Sequence, residues 1–295
     1  MIEESKMTVA SRVSAFLLAG IAVAACAAPP PAGAAAGGWR QDAVWDDGNA
    51  EFCVYELDWR RYGELYPGRV LSVLVKEPWA PDLEVKADSP RADGFEVLKL
   101  NFIRDVRTGI YTYHQMASVF LRRDDGDLRK LATSSTEGCG ISTSEMIGGT
   151  LTSRSYFDGQ GERRTAWPEG AVPEDGLPVV LRDWVAGEAP VTLLVFPSLL
   201  AGRLPQLEAA DWRLERRQVE ALDLPAGSLS GVELRLSRGD EWMVYVFAAR
   251  SPHRLLRLTR SDGSDYRLAR CERIPYWQMT RLGDEQWLPE AVRSP

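Results

Sequence analysis

Histidine and cysteine are scarce in this chain of 295 residues, which has only two histidines, His114 and His253, and four cysteines. No two cysteines have the Cys-x-x-Cys spacing of a zinc ribbon or of a thioredoxin-type redox site. The sequence also lacks Gly-x-Ser-x-Gly, His-Glu-x-x-His and a phosphate-binding loop, which are signatures of several enzyme classes. We therefore expect no cofactor and no bound metal, and we favour a protein without catalytic activity.

Basic residues are fewer than acidic ones. The chain has 35 lysines and arginines against 42 aspartates and glutamates, which gives a net charge of -7 at pH 7. Binding to a nucleic-acid backbone requires a basic surface, and so does attachment to anionic lipid through basic residues alone. The charge balance argues against both, and we exclude nucleic acid as a partner.

Long hydrophobic runs are limited to one. Residues 13–25 read VSAFLLAGIAVAA, which is short for a membrane-spanning helix but has the length of the apolar part of a signal peptide. The run ends in Val23-Ala24-Ala25-Cys26, which resembles the lipobox of bacterial lipoproteins. The resemblance implies that residues 1–25 are a lipoprotein signal peptide and that Cys26, lipidated with diacylglycerol and palmitate, begins the mature chain. The alternative is an ordinary secretory signal followed by a coincidental cysteine.

The surroundings of Cys26 bear on where the protein is held. Residues 26–38 are rich in Pro, Ala and Gly and predict a flexible tether, which reaches about 40 Å when stretched. Ala27 stands where an aspartate commonly retains lipoproteins at the inner membrane, so we expect the periplasmic face of the outer membrane in a bacterium with two membranes. Translation could start at Met1 or at Met7, and Met7 is favoured because it removes two glutamates from the start of the signal.

Residues 39–295 have the pattern of short strands joined by polar turns, with turn residues about every ten positions. This pattern predicts a mainly β domain, an antiparallel meander that forms a curled sheet, an open barrel or a sandwich. The domain is either single or divided into two halves, residues 39–160 and 176–280. The clearest strand segments are residues 51–59, 69–75, 95–106, 110–123, 128–135 and 141–157, and four successive segments within 230–274.

Two regions are less regular. Residues 177–187 have a short helical rhythm that Gly187 ends, whereas residues 207–222 are compatible with either a helix or an alternating strand. We expect one or two short helices around 177–222. Within the long segment 141–157, Gly148-Gly149 predicts a bulge or a bend.

The first half of the chain contains a series of short motifs: Trp45-Asp46-Asp47-Gly48, Tyr55-Glu56-Leu57, Arg61-Tyr62-Gly63-Glu64-Leu65, Lys86-Ala87-Asp88, Val97-Leu98-Lys99-Leu100-Asn101, Thr108-Gly109-Ile110-Tyr111, Met116-Ala117-Ser118-Val119-Phe120 and Cys139-Gly140. With these motifs the chain resembles a family of bacterial envelope lipoproteins for which no function is established. The resemblance resumes near Ser251-Pro252 and Ile274-Pro275-Tyr276-Trp277. The chain departs from the family pattern at Gly138, where an aromatic residue is expected, and at Cys53 and Cys271, where no cysteine is expected.

Some members of that family are labelled septum formation inhibitors. Proteins that properly bear this label are cytoplasmic nucleotide pyrophosphatases with an N-terminal phosphate loop rich in Ser and Arg. The nearest string here, Leu131-Ala132-Thr133-Ser134-Ser135, lies deep in the chain and lacks the Pro-Arg-Arg that follows in those enzymes. We therefore reject that activity.

The C-terminal part, roughly residues 176–272, is more faintly similar to a second uncharacterised family, of periplasmic β proteins. In that family a Leu-Pro-Ala-Gly turn precedes a meander, as Leu224-Pro225-Ala226-Gly227 does here. The resemblance implies a curled sheet and says little about a ligand.

His114 is the candidate for catalysis in the alternative that the protein is an envelope hydrolase. As a general base it needs an orienting carboxylate and a nucleophile, for which Asp105, Glu137 and Ser118 are available without a diagnostic spacing. A structural histidine, or one at the rim of a site, is the favoured interpretation. His253 follows Ser251-Pro252 in a predicted turn, and we expect it to be exposed to solvent.

Three cysteines remain once Cys26 is assigned to lipid. Cys53 and Cys271 lie in the first and last predicted strands and depart together from the family pattern, so we hypothesise a disulfide that joins the ends of the domain. Cys139 is either a reactive thiol or, in the favoured interpretation, a small buried residue.

Aromatic residues suggest where a ligand could lie. Most of the ten tryptophans are expected to pack in the core. If the sheet curls, Tyr55, Tyr111, Tyr113 and Trp242 could line an apolar face able to hold an acyl chain or a glycan. We expect a membrane-tethered, non-catalytic lipoprotein that binds a lipid-like ligand or an envelope partner. The alternatives are the hydrolase that uses His114 and a purely structural envelope protein.

Overall fold

The computed structural model describes residues 38–204 and 207–288. The predicted signal peptide, both candidate start residues, Cys26 and nearly all of the tether lie outside these residues. The described part is mainly β and forms one sheet that does not close on itself, which confirms the predicted fold class. Its strands are β1 (Ala50–Arg61), β2 (Glu64–Ala80), β3 (Val85–Lys86), β4 (Phe95–Thr108), β5 (Tyr111–Arg122), β6 (Leu128–Glu137), β7 (Gly140–Ile147), β8 (Thr150–Arg154), β9 (Glu162–Ala166), β10 (Val172–Pro173), β11 (Thr192–Phe196), β12 (Ala210–Leu224), β13 (Gly227–Arg238), β14 (Glu241–Ala248), β15 (Leu255–Arg260) and β16 (Asp265–Ile274).

Helical structure in the described residues occurs in short segments. The α-helix α1 (Leu177–Val180) lies within the region where the sequence predicts a helix. The second candidate, residues 207–222, forms most of strand β12, because Trp212 and Leu214 are buried and alternate with exposed Arg213. No helix in the described parts of the chain is long and apolar enough to cross a membrane. The 3-10 turns are Gly38–Gln41, Ala43–Asp46, Glu174–Gly176, Leu181–Trp184, Tyr276–Gln278 and Asp284–Trp287.

The first strand lies in the middle of the sheet. β1 pairs with β2 on one side and with β16 on the other. The order continues from β2 through β4 to β9, with β3 beside β2, and from β16 back through β15 to β10. Neighbouring strands are antiparallel except β10 and β11. Strands from both candidate halves of the domain therefore belong to one sheet.

Gly148 and Gly149 form the turn between β7 and β8. Their φ angles are +56° and +74°, and two consecutive residues with positive φ are typical of the tightest β-hairpin turn. Residues 141–157 are therefore not one long strand with a bulge or bend, as the sequence suggested, but a hairpin.

The sheet is strongly curled. We call the face that carries Tyr55 and Trp59 of β1 the inner face. Phe102 of β4 and Tyr245 of β14 line the same small cavity at this face, of about 50 Å³. Five strand spacings separate β4 from β14 in the sheet order, a distance of about 24 Å if the sheet were flat. Only strong curvature brings these side chains together.

Residues 174–185, which we call the inner segment, pack against the inner face. Arg182 donates a hydrogen bond to Glu51 of β1 over 2.6 Å, and only 2% and 4% of the two side chains are exposed. Arg182 also donates to the carbonyl of Pro252, between β14 and β15, over 2.9 Å. Because breaking a buried ion pair leaves an uncompensated charge, these contacts tie the inner segment firmly to both sides of the sheet. The segment's fully buried apolar side chains are Leu177, Val179, Leu181 and Val185.

Cys53 and Cys271, the pair hypothesised from the sequence, lie opposite each other in β1 and β16 and are joined by a disulfide. Their Cα atoms are 4.0 Å apart, and the two residues are 218 positions apart in the chain. Cys139 is exposed at the turn between β6 and β7. The expectation that Cys139 is buried is therefore wrong, because the hairpin turn projects this residue beyond the packed part of the sheet.

Candidate ligand-binding cleft

A cleft lies between the inner face of the sheet, the inner segment and residues 197–202. It has a larger chamber of about 650 Å³ and a smaller chamber of about 190 Å³, which share Glu174, Ser198 and Arg260 in their walls. Apolar side chains of the larger chamber come from β11, β12 and β14 and from the segment after β11. They include Val195, Pro197, Trp212 and Met243.

Side chains at alternate positions of β12 and β14 point to the inner face and form walls of the larger chamber. Trp212 occupies an inner position of β12, and the guanidinium of Arg238, at the end of β13, lies 5.2 Å from the centre of its ring. Met243 is buried at an inner position of β14. Trp242 borders the chamber at the start of the same strand, and Arg235 lies over its ring at 4.8 Å. The chamber therefore combines apolar walls with charged groups of both signs, since Arg238 pairs with Glu241 over 2.7 Å and both line it.

One carboxyl group of the inner segment, Glu174, lines the cleft, and the next, Asp175, is buried beside it. Glu174 accepts a hydrogen bond from Arg260 over 2.6 Å, and this pair forms the wall shared by the two chambers. Asp175 accepts hydrogen bonds from the Ser198 hydroxyl over 2.6 Å and from the Leu199 amide over 2.8 Å. Burial raises the pKa of Asp175 to about 6. The contacts of Asp175 fix residues 198–199 against the inner segment.

The four aromatic residues singled out in the sequence are dispersed. Trp242 borders the cleft, as described above, and the other three lie elsewhere. Tyr55 is fully buried, its hydroxyl donates to the Leu255 carbonyl over 2.8 Å, and burial raises its pKa. Tyr113 is buried with its hydroxyl bonded to that of Tyr62. Tyr111 is partly exposed at the start of β5.

His114 lies outside this cleft. Its Nδ1 is 2.6 Å from Oδ1 of Asp105, and Asp105 also accepts a hydrogen bond from Arg69 over 3.0 Å. Ser118, the candidate nucleophile, donates instead to Asn101 over 2.8 Å. Just over half of the His114 side chain is exposed, because it lies on the face of β5 opposite to buried Tyr113. The structure thus supplies an orienting carboxylate for His114 but bonds the candidate nucleophile elsewhere.

His253 is buried, so the expectation that it is exposed is wrong. Only 5% of the residue is accessible, because the turn after β14 folds back and brings its Nδ1 to 3.2 Å from the Ala248 carbonyl. Burial lowers the pKa of His253.

Glu51, Cys53 and Cys271 lie within reach of one another, as metal ligands would. However, the disulfide uses both sulfurs and Arg182 uses the carboxylate. This set of donors does not suit a metal ion.

Sequence reasoning missed the charged residues of the cleft, although a signal for one of them was present. Leu98, Leu100 and Phe102 alternate toward the inner face, and Arg104 continues the same series. A cation in a series of apolar inward positions indicates a polar site inside the fold. Asp175 had no such signal, because its partners lie 23 and 24 residues later in the chain.

Comparison with known proteins adds no assignment, since no protein-family model, no curated protein and no solved structure matches this chain. The function is therefore argued from the cleft and from the sequence.

Proposed function

We propose that this protein is a non-catalytic envelope lipoprotein that binds a lipid-like ligand in the cleft. The observation that carries the proposal is the larger chamber of about 650 Å³, with Trp212 and Met243 in its walls and Arg238 beside them. Small-molecule sites typically have volumes of roughly 300–1,000 Å³ and combine apolar walls with a few placed polar groups. Such a lining suits a molecule with an apolar chain and a polar end.

The distribution of reactive groups supports binding over hydrolysis. Nucleophilic catalysis needs a nucleophile and a base within hydrogen-bond reach, with a third group to orient the base. In the described residues, Asp175 and Ser198 bond to each other at the cleft, whereas His114 and Asp105 form their pair elsewhere. The groups that hydrolysis would combine are therefore held apart.

The membrane attachment in this proposal rests on the sequence. Val23-Ala24-Ala25-Cys26 resembles a lipobox, and Ala27 favours the outer membrane over the inner one. A ligand-binding domain on a tether of about 40 Å would work near the membrane without entering it.

Photo-crosslinking in intact cells tests the binding proposal. The full chain is produced in a bacterium with two membranes, with p-benzoylphenylalanine in place of Trp212, and the outer and inner membranes are separated after irradiation. We expect recovery in the outer-membrane fraction and, by mass spectrometry, an adduct of a small amphiphile at position 212. Position 201 serves as a second probe, because Ala201 lines both chambers and is only partly buried.

The matched control carries the same crosslinker in place of Trp277, whose residue is 48% exposed. An absence of adducts at 212 and 201, or equal adducts at 277, would overturn the binding proposal. An adduct of protein mass at the cleft would replace the lipid-like ligand with an envelope partner. Recovery in the inner-membrane fraction would contradict the assignment to the outer membrane.

A further inference from the structure

The smaller chamber is rich in cations although the protein as a whole is acidic. Arg60, Arg61, Arg104 and Arg260 line it, whereas Glu174 and Asp262 are the carboxylates in its wall. The whole chain has a net charge of -7. Glu174 neutralises Arg260, and among the described residues Asp262 is the one carboxylate of the wall left beside the other three arginines, so two positive charges are in excess.

Arg104 is held by neutral partners. It donates to Oε1 of Gln115 over 2.8 Å and to the Tyr266 hydroxyl over 3.0 Å. Its guanidinium carbon lies 4.5 Å from the centre of the Trp59 ring. Within the described part of the chain, no carboxylate forms an ion pair with Arg104. Its charge is therefore oriented by hydrogen bonds and an aromatic face without being neutralised.

Arg61 lies close to the same indole. Its guanidinium carbon is 5.7 Å from the centre of the Trp59 ring and 4.8 Å from that of Tyr62. Its Nε is buried and has no hydrogen-bond partner among the described residues. A buried donor without an acceptor costs about 1–3 kcal/mol, and an anion in the chamber would offset that cost.

Arg61 and Arg104 both line the smaller chamber beside the Trp59 indole, and both carry donors that suit an oxyanion. Arg61 and Arg104 are partly buried, and an anion that enters the chamber would supply a counter-charge for them. The planar guanidinium donates two parallel hydrogen bonds to a phosphate or carboxylate, which makes arginine the residue best suited to such groups. The Trp59 ring lies within cation–π distance of both guanidinium groups, and the hydrogen bonds of Arg104 to Gln115 and Tyr266 orient that side chain before an anion binds.

We infer that the smaller chamber binds the oxyanion, a phosphate or a carboxylate, at the polar end of the ligand. This inference rests on the proposed function for the apolar part, which lies along Trp212 and Met243 in the larger chamber. Arg104 and Arg61 bind the oxyanion, and Arg260 remains with Glu174 as the wall between the chambers.

Titration calorimetry on the full chain in nanodiscs of zwitterionic lipid tests the inference. The probes are hexyl phosphate, inorganic phosphate and hexanol, with empty nanodiscs as the blank. We expect hexyl phosphate to bind more tightly than either inorganic phosphate or hexanol. Arg104→Gln and Arg61→Gln should each weaken its binding about tenfold, as expected for the loss of a charge-assisted contact. Added salt should weaken it too.

Two further variants make the result specific. Arg107→Gln removes the same charge from an exposed position of the same strand, and it should bind hexyl phosphate as the wild type does. Arg104→Lys keeps the charge without the planar fork, and it should recover part of the affinity lost in Arg104→Gln.

The outcomes separate this inference from the proposed function. If neither Arg104→Gln nor Arg61→Gln weakens hexyl phosphate binding, the oxyanion site is overturned even where crosslinks at position 212 support a ligand. If inorganic phosphate binds as tightly as hexyl phosphate and depends on Arg104, the oxyanion site stands and its natural source is a free anion. In that case the proposal that the ligand is lipid-like is wrong.

Discussion

Asp175 is a buried carboxyl whose charge depends on its surroundings at the cleft. Burial raises its pKa from an ordinary value of 3.8 to about 6. The folded state therefore holds this proton more tightly than the unfolded state does. The stability that Asp175 contributes is greatest below about pH 4 and is lost as the pH rises through about 6, by about 3 kcal/mol for two pKa units.

Asp175→Asn should remove this dependence, because an amide has a similar shape and cannot become charged. Between pH 4 and pH 7, the free energy of unfolding of the variant should rise relative to that of the wild type by about 2 kcal/mol. Urea denaturation of both proteins at the two pH values measures the difference. The control is Asp158→Asn at an exposed carboxyl, for which the difference should stay constant. A constant difference for Asp175→Asn as well would contradict the prediction.

At the scale of secondary structure, the seam between β1 and β16 is the contact between the two ends of the domain. The disulfide between Cys53 and Cys271 crosses this seam and closes a loop of 218 residues. A cross-link stabilises a protein mainly by restricting its unfolded state, and the chain-entropy estimate for a loop of this length is about 5 kcal/mol.

A variant with both Cys53→Ala and Cys271→Ala should lose about 4–5 kcal/mol of unfolding free energy by the same estimate. Guanidinium denaturation under non-reducing conditions measures the loss, and the wild type under strong reductant should show a similar value. Cys139→Ala, at the exposed cysteine, is the matched control and should change nothing. If the double variant were as stable as the control, the disulfide would add nothing to the free energy of unfolding, and the prediction would be wrong.

Most strands could be predicted because their faces meet different surroundings. In β4, Leu98 and Leu100 meet the core while Lys99 pairs with Glu77 on the other face, and this alternation is visible in the sequence. Residues 207–222 stayed ambiguous because β12 carries an exposed run around Arg216 and Gln218, where the apolar side of the pattern fades. The side chain of Trp212 in that strand finds its place only through the strands beside it, which a local pattern does not reveal.

At the scale of the whole molecule, both sides of the sheet share one core. Arg182 of the inner segment donates hydrogen bonds to Glu51 on β1 and to the Pro252 carbonyl beyond β14. Separating the two sides of the sheet would therefore leave a buried charge without its partner. The order of strands could not be predicted, because the pairing of β1 with β16 joins residues more than two hundred positions apart. Local alternation predicts that strands exist but not which strands are neighbours.

The shared core predicts that the sheet opens as one unit. In native-state hydrogen exchange on the full chain, the most protected amides of β5 and of β14 should report opening free energies equal to within about 1 kcal/mol. Amides of β9 and β10, at the sheet edges, should exchange faster and provide the internal reference. If the opening free energies instead fell into two distinct values, one for strands before residue 160 and one for strands after residue 176, the two halves would open independently.

The place of β1 in the middle of the sheet has a consequence for how the protein is made. Cys53 leaves the ribosome 218 residues ahead of Cys271, an interval of roughly 10–45 s at the usual rate of synthesis. During that time β1 exposes an unpaired edge with Phe52 and Val54 beside it, the kind of edge that recruits other chains into aggregates. Safe production of this protein therefore depends on keeping that edge covered until β16 arrives.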